Sequence, residues 1–407
     1  MQVKSIALLG HKDHGKSTLI GSLLMQTGAA TKVRIKEAEQ YSRRLHKNFE
    51  PAFILDSFAE ERLQEMTIDT TRAEIRHKDL AFALIDVPGH EELIKNMISG
   101  ASYGEIALLL VSAKRDEGIR DQTKRHLFIA RMLGIDRLVV AVNKMDIVGY
   151  GEGRFEEVKK GLVGFVEKIG FGAGNVAFVP ISAYKGENLV RRSARMKWYR
   201  GKPLLDVLYE AAAKGGRKQD GALRIITQGT IPGRNGELVV GRVASGRVKV
   251  GDRVSILPMG ADAKVDEITV KGRRSGADEV GENVAMRLSG PVPDGMRGTV
   301  ISDSRHKPAV SDSVKLRIFV TGKFGDGMTA KFNGIDIQCR GIRVLHGIST
   351  TTGDVVKSKT AKVLEAVEAE LRLARKVPVE DYSVTKELGR FVLYRKGRFA
   401  GIGTVTP

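Results

Sequence analysis

Residues 10–17, with the sequence GHKDHGKS, restrict the fold of this chain more than any other stretch. An apolar run at 5–9 precedes them and a run with helical apolar spacing at 18–24 comes after, so the order is strand, glycine-rich turn, helix. The glycines let the backbone wrap a phosphate chain closely, and the helix offers unpaired N–H groups and the positive end of its dipole. The stretch therefore predicts a phosphate-binding loop, formed by Gly10, His11, Lys12, Asp13, His14, Gly15, Lys16, Ser17 and Thr18.

Two side chains of this loop, Lys16 and Ser17, are expected to contact the ligand directly. Lys16 is expected to reach the β- and γ-phosphates of a nucleotide, and the Ser17 hydroxyl is expected to bind Mg²⁺. A strand–turn–helix of this composition also arises by chance, so the prediction depends on whether later motifs along the chain agree with it.

The first half of the chain alternates between apolar strands and helices. Strands are predicted at 3–9, 81–86, 106–112, 137–142 and 176–181, and helices at 16–26, 91–99, 121–133 and 154–169. Such alternation predicts an α/β domain with a mostly parallel sheet and helices on both faces. Ligands of such sheets bind at the carboxyl ends of the strands, where each further motif falls.

A second motif, DVPGH at 86–90, follows the apolar strand at 80–85. Asp86 is expected to hold Mg²⁺ through a water molecule, and the backbone N–H of Gly89 is expected to meet the γ-phosphate. Taken alone, the motif is an ordinary turn with proline and glycine.

Two later motifs predict the choice of base. NKMD at 143–146 supplies Asn143, Lys144 and Asp146; a carboxylate accepts hydrogen bonds from both N1 and N2 of guanine, a donor pair that adenine lacks. Lys144 is expected to lie along the base. Ser182, Ala183 and Tyr184 follow the strand at 176–181, and the backbone N–H of Ala183 is expected to meet guanine O6. The order and spacing of all four motifs predict a guanine-nucleotide site.

After residue 222 the apolar period changes to that of short strands separated by glycine and aspartate turns. This pattern predicts two antiparallel β-barrels. The expected domains are a nucleotide-binding domain at 1–213, a glycine-rich linker at 214–222, and barrels at 223–303 and 304–407.

The net charge of the chain indicates which class of partner it can bind. The chain has 407 residues and a net charge of +19, which suits a polyanion such as nucleic acid, although a solvated basic surface is the alternative. The single Cys339 excludes an internal disulfide, and no apolar run is long enough to span a bilayer. We expect a cytoplasmic monomer with no membrane partner.

Together, the motifs at 10–17, 86–90 and 143–146 resemble those of the translational GTPases, and most closely the elongation factor Tu and elongation factor 1-alpha family. Residues 95–102 and 122–126 add to the likeness, which is strong over 1–210, fair over 223–303 and patchy beyond. The resemblance implies binding of GTP and GDP with Mg²⁺, hydrolysis of GTP, and a conformational switch. It also implies tRNA, the ribosome and a guanine-nucleotide exchange factor as partners.

Two site residues are assigned by that resemblance alone. His90 is expected to position the attacking water as the catalytic residue, and Thr67 in the first switch region is expected to bind Mg²⁺ in the GTP state. The chain departs from the family pattern at Lys12, where an apolar residue is usual, at Gln64-Glu65, where Arg-Gly is usual, and at Met66, where Ile is usual. Its third domain also looks short.

Three functions stay open on the sequence. The first is a GTPase that delivers aminoacyl-tRNA or a related RNA to the ribosome, and the second is a GTPase subunit of sulfate adenylyltransferase. The third is a ribosome-rescue or regulatory GTPase with low intrinsic turnover. Trp198 and Tyr199, flanked by arginines, either stack on RNA or pack within their domain, and packing is the favoured interpretation.

Overall fold

The computed structural model describes residues 2–44, 46, 48–55, 72–86, 106–213, 221–233, 236–270, 272–279, 281–290 and 292–406. The chain forms two compact units, residues 1–216 with 350–353, and residues 217–349 with 354–407. The sequence predicted three domains and a linker, whereas this division gives only two units. The predicted domain limits therefore stay predictions.

The first unit is built on a six-stranded sheet in the order β2-β3-β1-β4-β5-β6. Only β2 runs antiparallel to its neighbour, and the other pairs are parallel, as the alternating pattern predicted. The strands are β1 (Gln2–Leu9), β2 (Arg72–His77), β3 (Leu80–Asp86), β4 (Ile106–Ser112), β5 (Arg137–Asn143) and β6 (Val176–Pro180). Every residue of β4 is buried, as expected of a strand that helices cover on both faces.

Five helices described in this unit connect and cover the strands. They are α1 (Lys16–Gln26), α2 (Lys32–Arg44), α3 (Asp121–Met132), α4 (Glu152–Lys168) and α5 (Leu204–Ala213). The side chains of Leu19, Ile20 and Leu23 are fully buried in the core with Ile6 and Leu8 of β1. This spacing fixes the start of α1, and with it the end of the phosphate loop, against the sheet.

The second unit contains two closed antiparallel barrels. In the first, the order β10-β15-β7-β8-β14-β11 is closed by pairing of β10 with β11. Its elements are β7 (Arg224–Gly233), β8 (Gly236–Ser245), β9 (Arg247–Lys249), β10 (Arg253–Leu257), β11 (Ala261–Val270), β12 (Arg273–Ser275), β13 (Ala277–Glu279), β14 (Asn283–Leu288) and β15 (Val300–Asp303).

The second barrel has the order β17-β21-β22-β16-β20-β18 and closes by pairing of β17 with β18. Its strands are β16 (Ala309–Val320), β17 (Met328–Phe332), β18 (Ile335–Ile348), β19 (Val355–Val356), β20 (Ala366–Val379), β21 (Arg390–Arg395) and β22 (Arg398–Val405). The short strands β12 and β19 extend these two sheets beyond β11 and β18. The predicted fold class, an α/β domain followed by two antiparallel barrels, is confirmed.

Arg224 on β7 joins the two barrels through Glu380, which follows β20. Its Nε lies 3.1 Å from both carboxylate oxygens of Glu380, and its guanidinium also donates to the carbonyl of His306 at 2.7 Å. Arg224 is 4% exposed, so losing either partner would leave a buried charge without compensation. In the described part of the chain, no helix is long and apolar enough to cross a membrane.

Candidate functional site

The carboxyl ends of the parallel strands bring the four sequence motifs to one edge of the sheet. The register pairs Leu8 with Asp86 and Leu9 with Leu109, so β3 and β4 end beside the phosphate loop. Ser112 pairs with Asn143, and Val142 pairs with Pro180, so the predicted base-binding motifs leave the sheet at the same edge. The topology therefore supports one shared site.

Two glycines shape the phosphate loop. Gly10 has a φ of +143°, and a Cβ there would lie 2.7 Å from the carbonyl oxygen of Leu110. Gly15 has a φ of +86°, and a Cβ there would lie 2.7 Å from Nδ2 of Asn143. Between them Lys12–His14 form one 3₁₀ turn, and α1 begins at Lys16. Side chains at either glycine would displace neighbouring groups, so the cradle needs glycine at both positions.

Lys16 and His14 hold the interior of the loop. The ammonium of Lys16 donates to the carbonyls of Gly10, at 3.1 Å, and His11, at 3.4 Å, and the residue is only 7% exposed. His14 is fully buried, with Nδ1 2.9 Å from the carbonyl oxygen of Leu110. Burial lowers the pKa of the His14 imidazole, so it is neutral at physiological pH and donates through Nδ1. The Lys16 ammonium is thus fixed within the cradle predicted to hold phosphate.

Asn143 ties the phosphate loop to the predicted base loop. Its Nδ2 donates to the carbonyl of His14 at 2.9 Å, and its Oδ1 accepts from the backbone N–H of Ala183 at 2.8 Å. The residue is 2% exposed. Both halves of the amide are therefore used within the protein, and Asn143 acts here as a brace between the two loops.

Replacing Asn143 by alanine is expected to lower the free energy of unfolding of the first unit by about 2–4 kcal/mol, because two buried polar groups lose their partners. Trp198 is the only tryptophan of the chain and lies in this unit, so its fluorescence during urea unfolding measures the effect. Asn175→Ala, at an exposed position of the same unit, is the matched control. Equal stability of both variants would show that the brace is unimportant.

The predicted base loop is fixed by contacts with Asp146 and α1. The hydroxyl of Ser182 donates to Oδ1 of Asp146 at 2.5 Å, and the backbone N–H of Lys185 donates to that hydroxyl at 3.1 Å. From α1, Ser22 donates to the carbonyl of Ala183, and Gln26 donates to that of Gly186 at 2.9 Å. The Asp146 carboxylate is therefore held in one orientation beside the Ala183 loop.

Lys144 has a left-handed backbone conformation, with a φ of +65°. Such a conformation costs a non-glycine residue of the order of 1 kcal/mol, and surrounding contacts must hold it. Its ammonium lies 2.6 Å from the carboxylate of Glu117. Burial opposes ionisation of Glu117, but hydrogen bonds from Lys144 and Ser112 and the nearby ammonium charges outweigh it and lower the pKa of that carboxyl to about 2.

The stabilising contribution of ionised Glu117 is expected to depend on pH. It is fully present above the ordinary pKa of 4.5 and is lost as the pH falls towards about 2. At pH 6 the wild type should exceed Glu117→Gln by about 2 kcal/mol in the free energy of unfolding of the first unit. Urea unfolding followed by Trp198 fluorescence from pH 6 to pH 3 tests this, and a difference that stays constant would contradict it.

Several predicted site residues lie outside the part of the chain that the structure describes. These are Gly89, His90 and Thr67, together with the side chains of Asp86 and Lys12. The backbone of Asp86 ends β3 at the predicted edge. Tyr184 is described and 44% exposed, with the Lys185 ammonium 5.0 Å from its ring centre.

The described oxygen donors suit Mg²⁺ but form only part of a site. Ser17, the predicted Mg²⁺ ligand, lies exposed in the first turn of α1, at the end of the phosphate loop. Mg²⁺ prefers oxygen ligands together with phosphate and water. Among the described residues, no group of three His, Cys, Asp or Glu side chains can hold a metal ion by itself.

Glu117, Ser22 and Gln26, which contact the base loops from distant parts of the chain, were not predicted as site residues. Glu117 lies 27 residues before its partner Lys144, and Ser22 lies 161 residues before Ala183. No local pattern links such positions, and only the sheet order brings them together.

Known proteins are similar to this chain over nearly its whole length. The family described as "Elongation factor Tu GTP binding domain" matches residues 1–214, and "GTP-eEF1A C-terminal domain-like" matches residues 323–406. Elongation factor 1-alpha of Aeropyrum pernix is 35% identical, over 99% of this chain and 96% of that protein. Elongation factor 1-alpha of Saccharolobus solfataricus is 34% identical, over 98% and 96%. A solved structure of sup35 complexed with GMPPNP aligns with a TM-score of 0.44 and 24% identity, over 100% of this chain and 94% of that one.

Proposed function

Since the chain belongs to the elongation factor 1-alpha family, whose GTP-binding domain covers residues 1–214, we propose that it delivers aminoacyl-tRNA to the ribosome in its GTP-bound form. It is a GTP-binding translation factor resembling elongation factor 1-alpha. The family relationship supports this function over a sulfate adenylyltransferase subunit or a ribosome-rescue GTPase.

The observation that carries the nucleotide part of the proposal is the braced pair of loops at the sheet edge. Asn143 joins the phosphate loop to Ala183, and Ser182 orients the Asp146 carboxylate. In this proposal Lys16 contacts the β- and γ-phosphates, and Asp146 accepts from N1 and N2 of guanine. The backbone N–H of Ala183, which donates to Oδ1 of Asn143 in this structure, turns to guanine O6 when the nucleotide binds. These contacts select GTP and GDP over adenine nucleotides.

Hydrolysis of GTP follows from the same assignment. Ser17, Thr67 and, through water, Asp86 would hold Mg²⁺, which would supply positive charge to stabilise the phosphates during hydrolysis. His90 orients the attacking water, and Gly89 donates its N–H to the γ-phosphate. Phosphoryl transfer needs mainly such positioning and electrostatic stabilisation from the protein.

Two observations support the proposal that the protein delivers RNA: its family relationship and its positive net charge. A net charge of +19 favours association with a polyanion. The partners proposed are aminoacyl-tRNA, the ribosome and an exchange factor, and the protein is proposed to act as a cytoplasmic monomer.

Filter binding of charged tRNA tests this function. The purified protein should retain aminoacyl-tRNA with a non-hydrolysable GTP analogue at least about tenfold more tightly than with GDP, which corresponds to about 1.4 kcal/mol of coupling. Uncharged tRNA is the control, because it measures binding that does not depend on the aminoacyl group. Absence of charged-tRNA binding in both nucleotide states, at low salt, would overturn the proposed function.

A further inference from the structure

A basic loop at residues 191–202 of the first unit takes no part in the nucleotide site. It contains six Lys or Arg residues and no Asp or Glu, so it supplies +6 of the net charge of +19. All six are exposed: Arg191, Arg192, Arg195, Lys197, Arg200 and Lys202. Such a density of cations on one short surface segment is typical of a site that binds an anionic ligand.

Interior contacts hold the backbone of this basic loop. The backbone N–H of Ser193 donates to Oδ1 of Asn188 at 2.6 Å, and Met196 is 1% exposed. Nε1 of Trp198 donates to the carbonyl of Tyr150 at 2.8 Å. A loop fixed in this way loses little conformational freedom when a ligand binds its outer face.

The aromatic residues of the loop pack inwards. The ring of Phe155 on α4 lies 5.4 Å from the ring of Trp198 and 6.3 Å from that of Tyr199, between centroids. Burial raises the pKa of the Tyr199 phenol to about 12. Packing of Trp198 and Tyr199, favoured on the sequence, is therefore confirmed, and the outward face of the loop presents charge and not a stacking platform.

Only part of this charge is balanced locally. Arg195 lies 3.6 Å from the carboxylate of Glu187, and Lys202 forms an ion pair with Glu210. Arg192 donates to the carbonyl of Tyr199 at 2.8 Å. Within the described ranges, no ion pair is formed by Arg191, Lys197 or Arg200. Three exposed cations thus remain available to an anionic partner.

We propose that the basic loop binds the phosphate backbone of RNA, as a contact additional to the aminoacyl-tRNA delivery proposed above. Four of its six cations are arginines, whose planar guanidinium matches phosphate oxygens in a bidentate geometry. Because the aromatic rings are committed to packing, the loop recognises the backbone and does not read base sequence.

The position of the loop makes this contact independent of the bound nucleotide. In sequence it lies outside the first switch region, which contains Thr67 and is expected to change between the GTP and GDP states. RNA should therefore bind the loop equally well in both states, whereas delivery of aminoacyl-tRNA requires GTP. This difference separates the two proposals experimentally.

Fluorescence anisotropy with a labelled oligouridylate tests the RNA contact, using the full chain in its GDP form. The variant Arg191→Ala/Lys197→Ala/Arg200→Ala should lose at least about tenfold in affinity at low salt, and the slope of log K against log salt should fall by about 2. The matched control Lys357→Ala/Lys359→Ala/Lys362→Ala removes the same charge from an exposed segment of the second unit and should bind like the wild type.

Three results would overturn the proposal: no binding of oligouridylate by the wild type, equal losses in both triple variants, or equally tight binding of a polyglutamate peptide with the same dependence on the loop. The last result would assign the loop to an acidic protein. Unchanged GDP affinity verifies folding of the variants, and single substitutions at Arg191 and Arg200 replace the triple variant if it fails to fold. Failure of this test leaves GTP-dependent binding of charged tRNA unaffected, so the two proposals fail separately.

Discussion

Replacing Asp146 by asparagine is expected to weaken GTP binding by about 10²–10³-fold and to allow binding of xanthosine triphosphate. The Ser182 hydroxyl holds the carboxylate at 2.5 Å, so the carboxylate presents acceptors in a fixed direction. Asparagine replaces one acceptor with an N–H donor, which opposes the N–H donors of guanine but suits the carbonyl of xanthine. A polar pocket rejects a mismatched partner by several kcal/mol because buried groups then stay unpaired.

Equilibrium titration with fluorescent GDP, displaced by GTP or by xanthosine triphosphate, measures this change. Asp136→Asn, at an exposed position of the same unit, controls for the loss of one negative charge. If Asp146→Asn bound GTP as tightly as the wild type does, the assignment of Asp146 to the guanine base would be wrong.

Replacing His90 by alanine is expected to lower GTP turnover with the ribosome by about 10²–10⁴-fold while nucleotide affinity changes only a few fold. His90 lies outside the described residues, but it follows the end of β3 by four residues. Asp86, which ends β3, pairs with Leu8, two residues before the phosphate loop. A residue that acts on the attacking water affects the chemical step and leaves ground-state binding largely intact.

Single-turnover hydrolysis of radiolabelled GTP separates the two quantities, because binding is saturated before the chemical step is followed. The control is His306→Ala in the second unit, because His306 is exposed. His126 is buried, so its replacement would also affect stability. Equal single-turnover rates for His90→Ala and the wild type would move the water-positioning role to another residue.

The residues of the candidate site were accessible from the sequence because each motif is local and follows a strand. Gly10, Gly15, Asn143 and Asp146 all fall at the predicted sheet edge, where parallel strand order must gather them. Both barrels were also predictable, since short strands with alternating burial are separated by glycine turns.

Other features depend on tertiary contacts and were not predictable. The edge strand β2 was missed because its alternation of charged and apolar residues is short, with only Ala73 and Ile75 apolar. Asn143 was expected at the nucleotide, but its amide is used to bridge His14 and Ala183. The Glu117–Lys144 pair likewise joins two loops that the sequence treats separately.

Formation of a dipeptide on programmed ribosomes tests the central claim most directly. The purified protein is supplied with one charged tRNA and GTP, and the dipeptide is measured at a time when ribosomes without the factor have formed little of it. We predict dipeptide formation with GTP, and little with GDP or a non-hydrolysable analogue, because release of the delivered tRNA requires hydrolysis. If the protein binds GTP but the yield with GTP equals that with GDP, it does not deliver aminoacyl-tRNA.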